Sequence, residues 1–403
     1  MSRRVLFAVF CAVAAGAPAP AQDIYLKETR SYDREGFRNE FKKDPEPPTP
    51  QQLQQTEIAV RTAVYPLTEH KFHLERRRMG RLIDEADSLI KQVFNPESTN
   101  TPLQKEFGKK MVEELDRVMA PKQQAAIARI NAGRVLARLA EESGYEETVD
   151  LLVKVITDPD EVDGARFWAC RGLRNLFARA GKKLPLNVGA ARRQKALEAL
   201  VAFIQRKPEV TKMTPEEELN GLRVLRREAV RALAELRDPG AAKPNAHAAL
   251  TLVRVLAGDT GLVPSPRLDE KVEAAIGVCQ LRPDAKGDYQ PGYGAFFVGR
   301  FLVELGSKYA ARKSNREPWK IHAARLDEAL RASAAAFPAD KTVKEVARLG
   351  ADIARSVQQG SDAGGARNAL DAWLRQPANV PTQASVYKSD PKSVVTLQAA
   401  GAQ

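Results

Sequence analysis

Apolar residues in this chain recur at intervals of three and four rather than two, the spacing that places side chains on one face of a helix. The pattern is plainest between residues 101 and 285, where four segments share a signature: AGRVLARL from Ala132, ACRGLRNL from Ala169, AVRALAEL from Ala229 and AAIGVCQL from Ala274. Each opens on a small residue, carries an aliphatic residue four positions on and Leu seven positions on, so that Ala132, Leu136 and Leu139, and their counterparts, form one buried stripe. The small first residue allows a neighbouring helix to come close.

An amphipathic segment precedes each of these. The first carries Leu103, Phe107, Met111, Leu115 and Val118, and the second Val149, Leu152, Val153 and Ile156. Leu197, Leu200, Val201 and Ile204 mark the third, and Ala249, Leu252, Val253 and Leu256 the fourth. The unit is therefore a helical hairpin. Copies begin 37, 60 and 45 residues apart, which brackets the ~40–47 residues of two-helix repeats, with an insertion before the third. A single hairpin cannot bury its apolar face, so neighbours must stack.

The flanks predict further helices. Leu82, Ala86, Leu89, Ile90 and Val93 share a face within 56–100, where Pro66 breaks the earlier part. After a Gly- and Pro-rich turn, KGDYQPGYG, helical periods return through Val298–Leu305, Trp319–Phe337 and Val346–Val357, giving a C-terminal cap or bundle over 286–375. Residues 22–55, with KKDPEPPTPQQLQQ, and residues 376–403 lack a helical period and are expected to be a disordered linker and a disordered tail. Capping boxes are expected at Thr101/Gln104, Asp158/Glu161, Thr214/Glu217 and Thr342/Glu345. No segment alternates apolar and polar residues, so the fold class is all-α: a helical-hairpin solenoid with extra N- and C-terminal helices.

REAVRALAELRDPGA, Arg227 to Ala241, ends its helix in an Asp-Pro-Gly turn, and with the signature above it resembles the HEAT-repeat family over residues 101–285. The resemblance implies a HEAT-like solenoid used as a binding scaffold. The family's inner-helix arginine maps onto Arg134, Arg171 and Arg231, while Ile276 stands at that place in the fourth copy.

The first 21 residues have the three parts of an export signal of bacterial type: Arg3 and Arg4, the apolar run Val5 to Ala15, and Ala19-Pro20-Ala21 before Gln22. Cleavage is expected after Ala21. Ser2-Arg3-Arg4-Val5-Leu6-Phe7 loosely resembles a twin-arginine signal, though a plain basic n-region accounts for it. The expected location is outside the cytoplasm, with no membrane span in the mature chain. Residues 1–21 hold two bases and no acid, so their removal takes the formal charge from +12 to +10. Such a field favours anionic partners. Cys170 and Cys279 lie in apolar helical segments of different repeats and are expected to be buried, unbonded thiols.

Chemistry beyond binding is sparse. Among four histidines, His70 and His73 stand three apart near Glu69 and Glu75 and form a weak candidate metal pair, since no third His or Cys lies near in sequence. His322 reads as a core-edge residue. No phosphate loop, nucleophile elbow, HExxH or paired-cysteine pattern occurs, so no cofactor is expected. PGYGAF from Pro291 reads as a linker turn, and acid runs such as Glu216 to Glu218 read as solvated faces or caps. The leading reading is a non-enzymatic scaffold outside the cytoplasm that holds a protein or an anionic polymer. The alternative is a polysaccharide-active enzyme on a helical toroid, for which Trp168, Trp319 and Trp373 supply little stacking surface, two of them fitting buried stripes. Missing aromatic interleaving disfavours nucleic acid. The candidate binding surface is a basic concave face carrying Arg134, Arg138, Arg171, Arg174 and Arg231. The same arginines suit a ladder of ion pairs with neighbouring helices, and the pattern leaves both readings open.

Overall fold

The computed structural model describes residues 32–120, 124–178, 188–240, 246–312, 317–381 and 385–395, apart from the side chains of His70 and Arg76. The expected export signal and its cleavage point lie outside these residues. Sixteen helices occur in the described residues: α1 Arg34–Glu40, α2 Pro50–Val64, α3 His70–His73, α4 Arg76–Val93, α5 Thr101–Met119, α6 Ala126–Ser143, α7 Thr148–Thr157, α8 Asp163–Ala178, α9 Ala190–Gln205, α10 Glu216–Leu236, α11 Ala248–Ala257, α12 Leu268–Gln280, α13 Pro291–Ala311, α14 Glu317–Ala336, α15 Lys341–Gln359 and α16 Gly364–Leu374. No strand forms among the described residues. Two isolated bridges join Tyr387 to Tyr289 and to Asp390. The chain is all-α, built from helical hairpins.

Two compact units divide the chain, 1–196 and 197–403, the division falling inside α9. In unit 1 the first helices α2, α5 and α7 pack side by side, as do the second helices α4, α6 and α8. The signature residues do what their spacing requires, since Ala132, Leu136, Leu139, Ala169, Leu173 and Leu176 are wholly buried. The hairpin α2/α4 joins the same stack, so the repeat starts earlier than its sequence signature. Residue 86 of α4 is alanine, which lets α4 lie against α6. On the same helix Ile83 is buried where Leu82 was expected.

In unit 2 the second helices α10, α12 and α14 form one layer, with α11 and α13 behind them and α15 packed on both α13 and α14. Ala229, Leu233, Ala274 and Leu281 of the signature are buried here. Gly294 explains part of this closeness: a Cβ there would stand 2.9 Å from both the Tyr289 hydroxyl and Val278. PGYGAF is accordingly the first turn of α13, opened by Pro291 at a position whose amide has no helical partner, and not a linker turn.

The stretch expected to be a linker, 22–55, holds α1 and the start of α2. Phe37 and Phe41 are buried and meet edge to face, and Phe41 meets Phe107 of α5 the same way. Two aromatics one helical turn apart supply the core that the surrounding prolines and glutamines do not. Those prolines help the helix begin, for Thr49 caps α2 ahead of Pro50 in a capping box with Gln52. The expected tail is likewise structured in part, because Ser385, Val386 and Tyr387 are buried against unit 2.

The other caps fall elsewhere than the sequence suggested. Asn100, and not Thr101, caps α5 by accepting the Leu103 amide. Asp340, two residues before Thr342, accepts the Val343 amide of α15. Asp158 closes α7 rather than opening α8, and Thr214 accepts the Thr211 amide in the turn before α10. At α5 and α15 the short oxygen nearest the first free amide wins, whatever follows three residues later, while α10 starts without a side-chain cap.

Candidate functional site

The second-helix face of unit 1 is positioned by an unusually close approach of α6 and α8. Gly172 makes it, since a Cβ there would lie 2.7 Å from Leu152 and 3.2 Å from the backbone of Ala137. Because the apolar stripe of each helix points into the stack, position three of the signature points out of it. Arg171 and Trp168 stand one turn apart on α8, and Arg134 reaches them from α6. The Arg171 and Arg134 guanidinium carbons lie 5.1 and 5.7 Å from the Trp168 ring centre. All three side chains are half-buried. Among the described residues neither guanidinium forms a hydrogen bond or ion pair with a carboxylate, and Arg134 acts on Asp87 only at longer range.

Stacking on an indole holds a guanidinium for about 0.5–1 kcal/mol at exposed sites and leaves its N–H edges directed outward. A planar fork held that way matches a carboxylate in two-point fashion. Beside this cluster the charges are mixed. Arg138 bonds Glu141 at 2.9 Å and lies 3.3 Å from Glu142 and 3.8 Å from Asp87, while Arg174 donates to Asn175 at 3.0 Å, and Asn175 donates to Glu141. Burial raises the Asp87 carboxyl above its ordinary value against the pull of Arg138 and Arg134. Its Oδ1 is buried and accepts no hydrogen bond among the described residues.

In unit 2 the equivalent arginine is spent on the fold. Arg231 donates to Glu273 of α12 at 2.6 Å and lies 3.4 Å from Glu228. Glu273 also takes both outer nitrogens of Arg325 of α14, each at 2.8 Å. Burial would push the Glu273 carboxyl up, yet Arg325 and Arg231 outweigh it and hold it down at about 2. Arg226 and Glu270 form a second buried pair at 2.7 Å, and Arg227 bonds Asp269. His322, half-buried as a core-edge residue should be, sits near this cluster, with burial lowering its basicity.

The expected basic residues thus fall into two kinds. Arg134 and Arg171 come together on Trp168, whereas Arg138 and Arg231 bond carboxylates. Trp168 itself was counted from sequence only as a scarce aromatic, and the signal for it was its place three residues before Arg171. All three tryptophans are half-buried, so none fills a core stripe. His73 places its Nε2 2.9 Å from the Leu67 carbonyl, and the His70 side chain lies outside the described residues. Cys170 and Cys279 are buried and are not joined to each other in a disulfide, and burial pushes the Cys279 thiol up to about 12. No helix among the described residues is long and apolar enough to cross a membrane.

No family model matches the chain, and no curated protein matches it. It is similar to the crystal structure of SYS-1, at 11% identity and a TM-score of 0.41, over 84% of this chain and 67% of that one. It is also similar to SYS-1 in its crystal complex with POP-1, at 12% identity and a TM-score of 0.39 over the same shares.

Proposed function

We propose that this protein is an exported, non-enzymatic scaffold of HEAT-type repeats whose second-helix face in unit 1 holds an acidic protein partner. The observation that carries this reading is the pair of guanidiniums on Trp168, neither of them ion-paired with an acid among the described residues. Tryptophan and arginine dominate the energetics of protein interfaces, because each offers a large rigid contact and directional donors. The basic balance of the chain adds long-range attraction for an acidic surface. The signal-like first 21 residues support an extracytoplasmic location.

The test uses the chain from Gln22 with polyglutamate as the acidic probe. Arg134→Gln with Arg171→Gln should weaken binding about tenfold at low salt and flatten its salt dependence, with helicity unchanged. Arg231→Gln should instead lower the melting temperature and leave binding as it was. Equal affinity and equal salt sensitivity in the double variant would sink the reading.

A further inference from the structure

The second-helix layer of unit 2 carries a groove of about 280 Å³ between the end of α10 and α14, floored by α12. Its apolar part comes from Ile276, Leu281, Ala329 and Ala332. Alanines on α14 keep that wall low and leave room for a side chain.

Backbone conformation singles out one residue of the rim. Arg237, which lines the groove at the end of α10, has φ of 55°, the one non-glycine with positive φ among the described residues. That place after a helix suits glycine, which has no Cβ to clash with the chain. An arginine kept there against its backbone preference points to a use for the side chain. Its nearest acid, Glu235, lies 3.9 Å away. The Arg237 carbonyl accepts the Arg282 amide at 3.0 Å, and this sets a second guanidinium on the same side. Arg282 is exposed, and among the described residues its guanidinium has no hydrogen bond or ion pair. Arg325, also on the rim, is occupied by Glu273. On the α14 side Glu328 is exposed, with no described partner. The groove thus has an arginine side, an apolar floor and a carboxylate side.

We propose that this groove binds a short zwitterionic peptide with an apolar side chain. Arg282 and Arg237 take its terminal carboxylate, Glu328 takes its terminal ammonium, and the side chain lies over Ile276, Ala329 and Ala332. A volume of this size suits a ligand on the order of a dipeptide. The site is separate from the Trp168 cluster, and its test is separate too.

Titration calorimetry of the full chain with leucyl-leucine should show saturable binding. N-acetyl-leucyl-leucine and leucyl-leucinamide should each bind at least tenfold more weakly. Arg282→Gln should cost at least tenfold, and Glu328→Gln should remove the preference for the free amine over the acetylated one. Arg237→Gly should match or exceed the parent melting temperature while losing leucyl-leucine binding, which separates the ligand from the fold. Arg134→Gln with Arg171→Gln should leave this binding unchanged. Absence of saturable binding, blocked peptides binding as tightly as the free one, or full binding by Arg237→Gly would overturn the proposal.

Discussion

At Glu273 two guanidiniums from different helices converge on one carboxylate that is 1% exposed, so removing the charge takes that acid from Arg325 and leaves Arg231 with Glu228 alone. Breaking one side of such a buried group costs more than the group contributes over an apolar substitute, because the Arg231 charge remains largely desolvated. Glu273→Ala should therefore destabilise the chain by about 3 kcal/mol, read by denaturant unfolding. The same residue sets an acid sensitivity. Its folded value, about 2, lies below the ordinary 4.5, so the unfolded state binds the proton first and stability rises with pH across that window. The contribution is complete above about 4.5 and drains away as pH falls toward 2. An unfolding series between those values should show a slope that is shallower in Glu273→Ala, the remainder coming from other carboxylates held low, such as Glu114 and Glu304. The sequence showed the arginine of this position in three copies, but the buried acid that Arg231 meets on the next layer, Glu273, lies 42 residues away. Pairing at that range is decided by stacking, and so the choice between site and ladder could not be made from spacing.

Among the helices, α6 and α8 show how a single small residue governs a face. Gly172 lets α8 settle onto Ala137, and the shared stripe of Ala132, Leu136, Ala169 and Leu173 is buried as a result. Replacing it with Val would drive methyls into Leu152 and the Ala137 backbone, an overpacking worth about 1–3 kcal/mol. Such a variant should also shift tryptophan emission, because Trp168 would part from Arg134. Unchanged emission alongside lost stability would mean that the cation–π contact does not depend on the close approach. The buried faces of these helices were legible because a period of 3.6 residues leaves no other side for the leucines. Their ends were less so: Asn100 and Asp340 cap one or two residues ahead of the Thr-based boxes, since any short oxygen can serve a free amide and only the backbone path selects among them.

On the scale of the whole molecule, the segment 385–395 ties distant parts of unit 2 together. Tyr387 is fully buried, donates its hydroxyl to the Pro239 carbonyl, accepts the Ala249 amide of α11 at 3.1 Å and stacks on His247 at 5.2 Å. Val386 accepts the Gln290 amide at the start of α13 at 2.9 Å, and Val395 donates to Tyr293 at 2.7 Å. Tyr387→Ala leaves a cavity beside the Pro239 carbonyl and the Ala249 amide, which keep only their 2.9 Å bond to each other, and local opening near Tyr289 and Cys279 should follow. Under native conditions a thiol reagent should then modify Cys279 while Cys170, in the other unit, stays protected. Equal protection of both thiols would show that the segment is dispensable.

Periodicity by itself determined the helices, the hairpin and the buried stripe, because these depend on residues within one or two turns of each other. The expectation of export rests only on a linear pattern of charge, apolar run and small residues. Tertiary structure alone decided that Phe37 and Phe41 anchor the N-terminal stretch, that Tyr387 makes part of the tail structural, and that α2 and α4 form a further hairpin. It alone put Arg134 and Arg171 on one tryptophan while giving Arg231 to Glu273. The physical reason is common to all of these. A sparse aromatic or a lone charge has no period, and its role is fixed by whichever surface the rest of the chain brings to it.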